Sequence, residues 1–285
     1  MKLKTFLKTT TMINHCELKI DGKPYSLPVE GEFFWGKDEL LFPTEDSLIS
    51  KTSWKEKGYT IVKAFSDEEL KSIKNSISKN IINILKSKDI EVDESSFDLE
   101  KYHNYVTDKE KHNEIIFKTR EFKNENFDFN FETLAERFSE IVGYKLSSFN
   151  KELGTSHVQV RISRPNSYDI NPPHRDGYLS YYKNILNVWI PIVGCNELSS
   201  LPVLPASHLL RENQILRTET RGAKINGNVY NVPCILETSE GFDMVRPNPK
   251  EKEALIFTPY LIHGAAFNTN MNITRVALEL RFTRQ

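Results

Sequence analysis

The strongest constraint on the fold is a series of short, β-branched segments that begins after residue 150. Residues 157–164 alternate strictly, so Val158, Val160 and Ile162 face one side of a strand and polar residues face the other. Further segments rich in Val, Ile and aromatic residues are separated by Pro, Gly and Asn, and they cover residues 185–193, 201–204, 229–236, 253–258 and 273–282. Many short strands of this kind predict an antiparallel β-sandwich or barrel.

The first half of the chain predicts helices packed outside that barrel. Ser66 followed by Glu69 is a capping box, and apolar residues at helical spacing continue the helix to residue 85. An Asp-Gly turn predicts a hairpin over residues 17–27. The other predicted elements are a strand over residues 58–65 and a helix near residues 131–142. The polar, charge-rich stretch between these helices predicts no clear element.

Composition and charge are those of a globular protein. Of 285 residues, 39% are hydrophobic and 27% are charged, and the net charge of −1 provides no overall field toward nucleic acid or anionic lipid. Three scattered cysteines without CxxC spacing argue against a disulfide framework and a cysteine zinc site, and we see no secretion signal or membrane span. We therefore expect a cytoplasmic protein that binds a small molecule, neither nucleic acid nor membrane, and leave its oligomeric state open.

We expect residues 1–50 to be an N-terminal extension with a hairpin, and residues 51–285 to be the β-rich domain.

An H-x-D pair, His174 and Asp176, is the best candidate for part of a metal site. Octahedral iron(II) with open positions is commonly held by two histidines and one carboxylate on one face. His174 follows a Pro-Pro pair, and a Gly follows Asp176, which places the pair where a strand meets a tight turn. Two H-x-E pairs, beginning at His15 and His112, lie outside the strand-rich region. Their setting indicates ordinary surface positions.

The third candidate ligand is His263, which lies just after a predicted strand and is followed by Gly. Arg275 comes twelve residues later, and strand alternation places it on the same face as Ala277, Glu279 and Arg281. A guanidinium fork binds a carboxylate bidentately, as the remote end of 2-oxoglutarate would require. Because histidine must be unprotonated to bind a metal, we expect iron binding to fail below about pH 6.5.

These residues together resemble the phytanoyl-CoA dioxygenase (PhyH-like) family of Fe(II)/2-oxoglutarate oxygenases. The resemblance spans about residues 54–283 and begins with a strand, GYTIVKAF, followed by a Ser-Asp-Glu-Glu-Leu helix start. One departure is Ala206, in P-A-S-H, where the family usually has Gly. The motifs that carry the resemblance are H-R-D-G at 174–177, Trp189 in LNVWIPI, P-A-S-H at 205–208, and His263-Gly264 with Arg275 in TRVALELRF.

The resemblance implies a mainly β fold with flanking helices, built on a double-stranded β-helix (jelly-roll, cupin-like) core. It also implies Fe(2+), 2-oxoglutarate and O2 as cofactors, with hydroxylation of a small-molecule metabolite and release of succinate and CO2. Gln159 and Arg161, on the strand before the H-x-D turn, are either further 2-oxoglutarate contacts or residues of the barrel rim. The resemblance assigns the metal to His174, Asp176 and His263, and it assigns 2-oxoglutarate to Arg275.

The sequence leaves open which reaction the chain performs and what residues 211–250 do. Asp176 favours oxygen insertion over halogenation, because halogenating relatives replace this carboxylate with a small residue. A non-catalytic β-barrel binding module is one alternative, and an oxygenase of the same fold that performs desaturation, ring closure or epimerisation is another. Residues 211–250 form either a lid over the substrate or a decoration without a substrate role. We expect His208 to shape the P-A-S-H turn and not to bind metal.

Overall fold

The computed structural model describes residues 13–167, 171–225 and 227–285. In chain order the strands are β1 (Ile13–Ile20), β2 (Lys23–Glu30), β3 (Phe34–Trp35), β4 (Tyr59–Lys63), β5 (Leu146–Ser147), β6 (Phe149–Asn150), β7 (Thr155–Ser163), β8 (Ile185–Val193), β9 (Ile215–Arg217), β10 (Ala223–Ile225), β11 (Asn228–Tyr230), β12 (Ile235–Thr238), β13 (Asp243–Met244), β14 (Glu253–Phe257) and β15 (Arg275–Arg284). The α-helices are α1 (Asp67–Ser87), α2 (Tyr102–Tyr105), α3 (Lys109–Thr119) and α4 (Glu132–Val142).

A seven-stranded antiparallel sheet is the central feature of the molecule. Its strands follow the order β4-β14-β8-β15-β7-β6, and β5 pairs with the far end of β15. Along β15, Val276, Leu278 and Leu280 pack into the apolar core that α1 and α4 cover. The alternate residues of this strand face the opposite side of the sheet, where the candidate metal ligands lie.

Two smaller sheets form the opposite layer. The first has the order β11-β10-β2-β1-β13, and the second has the order β12-β9-β3. A separate apolar cluster lies beneath them and joins the hairpin β1–β2 to the segments at residues 215–244 and 262–267. The chain is therefore mainly β with helices outside the large sheet, and the double-stranded β-helix core predicted from the sequence is confirmed.

Most strong sequence patterns match the observed elements. Ser66 accepts a hydrogen bond from the Glu69 backbone and completes the capping box of α1, and α4 ends at Gly143 in a left-handed conformation. The predicted hairpin is β1–β2. Three predictions differ from the structure. Helices α2 and α3 lie in the charge-rich stretch. The predicted strand at residues 201–204 is reduced to isolated bridges at Val203, and the predicted strand at residues 229–236 is divided into β11 and β12. In the described parts of the chain, no helix combines the length and apolar character that crossing a membrane would need.

Candidate metal centre and its cavity

The sequence-predicted histidines lie side by side on two paired backbone segments. The His174 amide donates to the His263 carbonyl at 2.9 Å, and the His263 amide donates back at 3.1 Å. Both rings face the carboxylate of Asp176, with His174 Nε2 3.8 Å from Oδ1 and His263 Nε2 3.7 Å from Oδ2. All three side chains are buried, and their donor atoms lie within 4.8 Å of one another. Two imidazoles and one carboxylate around one point are a donor set that fits iron(II).

Hydrogen bonds fix both rings in the tautomer that binds a metal. Nδ1 of His174 donates to the Pro172 carbonyl at 2.7 Å, and Nδ1 of His263 donates to the Leu261 carbonyl at 3.0 Å. Because a carbonyl oxygen can only accept, each Nε2 carries its lone pair toward Asp176. Burial lowers the pKa of His174 to about 3 and also lowers the pKa of His263. Both rings are therefore neutral at pH 7.

Arg281 forms a hydrogen-bonded ion pair with the Asp176 carboxylate. Its guanidinium donates to both carboxylate oxygens at 3.1–3.2 Å, and Nη1 also donates to His157. Burial opposes ionisation of Asp176, but the positive charge of Arg281 outweighs burial and keeps the pKa of Asp176 well below its usual value. The carboxylate is therefore ionised and ready to accept a cation.

The residue between the two ligands of the H-x-D pair points away from the metal site. Arg175 donates to Glu212 at 2.7 Å and to the Ser207 carbonyl, and both charged side chains are fully buried. Gly264 is required beside His263, because its φ is +121° and a Cβ there would lie 2.4 Å from the Pro172 carbonyl. Ala206 also has a left-handed backbone, with φ of +60°, which explains why the related P-G-S-H motif has glycine at this position.

Arg275 is a buried guanidinium without an acidic partner among the described residues. It is 4% exposed, and among the described residues its hydrogen bond runs from Nη2 to the Ala266 carbonyl at 3.3 Å. Its Nε has no hydrogen-bond partner in the described part of the structure, and burial lowers the pKa of the side chain. Arg275 lines a cavity of about 290 Å³ together with His174 and His263. An anion that enters this cavity would satisfy the orphaned donors.

The two remaining predicted residues lie in different positions. Arg161 lines the same cavity as Arg275, and its Nε donates to Glu279 at 2.8 Å. Gln159 pairs with Glu279 in the sheet register and lines a neighbouring cavity of about 420 Å³, which also reaches Asp176. The structure therefore brings Arg161 closer to the candidate cosubstrate site than Gln159.

Several residues that the sequence did not single out also line these cavities. Arg281 could have been found, because strand alternation places it on the same face as Arg275. Tyr230, within residues 211–250, and His174 pack edge to face with their ring centroids 5.7 Å apart. Arg120, at the end of α3, lines both cavities. No residue motif predicts these last two positions.

The other histidines that the sequence raised lie outside the metal site. His15 is on β1, where Nδ1 is 3.1 Å from the Ser26 hydroxyl. The surface position predicted for His112 is wrong, because the side chain is buried on α3, with Nδ1 3.0 Å from the Tyr102 hydroxyl. His208 donates through Nε2 to the Lys55 carbonyl at 2.8 Å and thereby connects the P-A-S-H turn to the preceding segment, as expected.

Comparison with known proteins adds a family match. A family model described as phytanoyl-CoA dioxygenase (PhyH) matches residues 54–277. No curated protein sequence matches significantly. Similar solved structures include EctD from S. alaskensis with 2-oxoglutarate and 5-hydroxyectoine, at 12% identity and a TM-score of 0.47 over 89% of this chain and 84% of that one. They also include the non-heme alpha ketoglutarate dependent epimerase SnoN from nogalamycin biosynthesis, at 12% identity and a TM-score of 0.44 over 81% and 79%.

Proposed function

The chain belongs to the phytanoyl-CoA dioxygenase family, and from that membership we propose that it hydroxylates a small-molecule metabolite with release of succinate and CO2. It is an oxygenase whose cofactors are iron(II), 2-oxoglutarate and O2. The observation that carries the proposal is the buried set of His174, Asp176 and His263 in a cavity that Arg275 also lines, with the Arg275 Nε left without a partner among the described residues.

In this proposal His174, Asp176 and His263 bind the iron. The assignment is supported by the Nδ1 hydrogen bonds, which leave both Nε2 atoms free, and by the ionised carboxylate. Bound iron would activate O2, with 2-oxoglutarate as the electron donor. Arg281 keeps the Asp176 carboxylate oriented and charged, so the protein does not have to reorganise when the cation enters.

Arg275 would bind the carboxylate of 2-oxoglutarate that lies far from the metal. The assignment is supported by its burial in the cavity that both histidines line and by its free Nε donor. Gln159 and Arg161 stay predictions as further contacts of the cosubstrate. The walls of the cavity would exclude water and fix the C–H bond that reacts near the metal.

Anaerobic calorimetry with iron(II), followed by 2-oxoglutarate, tests the ligand assignments separately. We expect His263→Ala to lose iron binding, and His103→Gln, a half-buried histidine on α2, to retain it. We expect Arg275→Gln to bind iron normally but to bind 2-oxoglutarate at least about tenfold more weakly, because a charge-assisted hydrogen bond is lost.

Aerobic assays then test the reaction itself. Candidate metabolites that raise succinate release should yield products with one added oxygen atom. Iron binding by His263→Ala at the wild-type level would contradict the metal site. Succinate release with a product of unchanged composition would contradict hydroxylation but retain the oxygenase.

A further inference from the structure

The two cavities beside the metal donors carry an excess of positive charge, although the whole chain has a net charge of −1. Of the described residues that line the cavities, six are basic and three are acidic. Iron(II) and 2-oxoglutarate carry equal and opposite charges, so their binding would leave this excess unchanged. The basic residues are Lys109, Arg120, Lys123, Arg161, Arg275 and Arg281, and the acidic residues are Glu121, Asp176 and Glu279.

Most of these charges already have a partner or a role. Arg161 pairs with Glu279, and Arg281 pairs with Asp176. Glu121 pairs with Lys118, which does not line either cavity. Arg275 is reserved for 2-oxoglutarate in the proposed function. Arg120 is the remaining arginine, and it has no acidic partner among the described residues.

Arg120 is an exposed residue at the edge of both cavities, and we call this edge the mouth. It follows α3 directly, lines both cavities, and lies over the Phe117 ring at 4.8 Å. Partial burial and then the positive charge of Arg161 lower the pKa of Arg120, whereas Tyr230 acts in the opposite direction. A negative charge bound at this mouth would relieve the repulsion between the two guanidinium groups.

One face of α3 lines the cavity and leads to Arg120. Neighbours along this face are three or four residues apart, as helix geometry requires, and they are Lys109, His112, Asn113, Ile116 and Phe117, followed by Arg120 just after the helix. Ile225 and Val229 from the β10–β11 hairpin line the same cavity. These two side chains, together with those of Ile116 and Phe117, are the apolar wall of the cavity, and the cationic Arg120 lies at its mouth.

We propose that the substrate carries a carboxylate or phosphate group, which Arg120 binds at the mouth while an apolar part of the substrate extends along α3 toward the metal. This inference rests on the proposed function for the identity of the reacting centre. The anion site itself depends only on the charges and contacts of the cavity.

Calorimetric titration of the iron-loaded protein, kept anaerobic and saturated with 2-oxoglutarate, tests the anion site. The probes are benzoate, phenyl phosphate and the uncharged isostere benzamide, which all present the same ring to the apolar wall. We expect at least one anion to bind about tenfold or more tightly than benzamide, because a charge-assisted hydrogen bond contributes at least that factor. Whichever anion binds more tightly identifies the class of group, carboxylate or phosphate.

Arg120→Gln should abolish this preference, whereas Lys118→Gln, two residues earlier on α3 and outside both cavities, should retain it. Equal binding of anion and benzamide, no binding of either anion, or a preference that survives in Arg120→Gln would overturn the anion site. If 2-oxoglutarate binds but the anions show no preference, the anion site is wrong and the proposed function is unaffected. If 2-oxoglutarate fails to bind but the Arg120-dependent preference is present, the proposed function is wrong and the anion site is supported.

Discussion

Burial, more than the ordinary pKa of histidine, decides the charge of the His174 and His263 side chains. Sequence alone predicts that iron binding fails below about pH 6.5, but burial lowers the pKa of His174 to about 3 and lowers that of His263. A lowered histidine pKa extends the neutral form, which can bind a metal, to lower pH, so protons compete less with iron.

We therefore expect the iron(II) affinity to fall less between pH 7.5 and pH 5.5 than the affinity of an exposed histidine ligand would, since burial lowers the pKa of both rings. Anaerobic calorimetry at these two values and at an intermediate pH measures it. The isolated ligand imidazole, titrated under the same conditions, is a control that should lose affinity as it takes up protons. A loss of about tenfold per pH unit below pH 6.5 would mean that the rings titrate as exposed histidines do.

The same contrast explains which site residues the sequence could reveal. The grouping of His174, Asp176 and His263 could be predicted, because few side chains suit iron and these three lie near strand ends in the β-rich half. Their charge states could not be predicted, since these depend on burial and on carbonyls that the fold brings near. Arg120 could not be found either. On a helix rich in Lys and Glu, a cavity-facing arginine has the same local sequence as a solvated one.

Among the structural elements, the P-A-S-H turn joins the two segments that supply the metal donors. The Ser207 hydroxyl accepts a hydrogen bond from the Ile262 amide at 2.8 Å, next to His263. The Ser207 carbonyl accepts one from Arg175, between the other two donors. Because Ser207 is 2% exposed, water cannot replace these bonds easily. This one residue therefore helps to set the separation between the donors.

We expect Ser207→Ala to weaken iron binding by about tenfold, the lower end of the loss seen when supporting contacts of metal ligands are removed. The buried Ile262 amide would also lose its acceptor, which costs about 1–3 kcal/mol of unfolding free energy. Calorimetry and urea unfolding measure the two effects. Ser200→Ala is the control, because Ser200 is equally buried but bonds to Asn248. Equal iron affinity in the two variants would contradict a positioning role for Ser207.

The strands and helices differ in how far the local sequence alone determines them. Strand β15 alternates so strictly that its two faces could be assigned from the sequence, and the capping box marks the start of α1. Helix α3 could not be predicted, because its few apolar residues form only a weak stripe and its cavity-facing side is partly polar. The isolated bridge at Val203 replaces a predicted strand because Pro202 and Pro205 flank it and lack the amide hydrogens that strand pairing needs.

For the molecule as a whole, the hairpin β1–β2 contributes to the layer that covers the metal site. It pairs with β10, whose Ile225 lines the cavity, and with β13. The buried apolar side chains of the hairpin pack with those of the segment 215–244, and they are Cys16, Leu18, Ile20, Leu27 and Val29. The division of the chain at residue 50 stays a prediction, but these contacts indicate that the first part supports the second.

Deletion of residues 1–50 tests that division. Burial of one large apolar side chain contributes about 1.5–3 kcal/mol, so loss of the hairpin removes roughly 10 kcal/mol, as much as the whole stability of about 5–15 kcal/mol that a typical domain has. We therefore expect the fragment 51–285 to lose its cooperative urea transition and its iron binding. A chain that begins at residue 13 is the matched control, because it retains every described element, and it should unfold as the full chain does. If the fragment 51–285 unfolds cooperatively and binds iron with the affinity of this control, the β-rich domain is independent of the hairpin, and the packing of Cys16, Leu18 and their neighbours contributes little to the site.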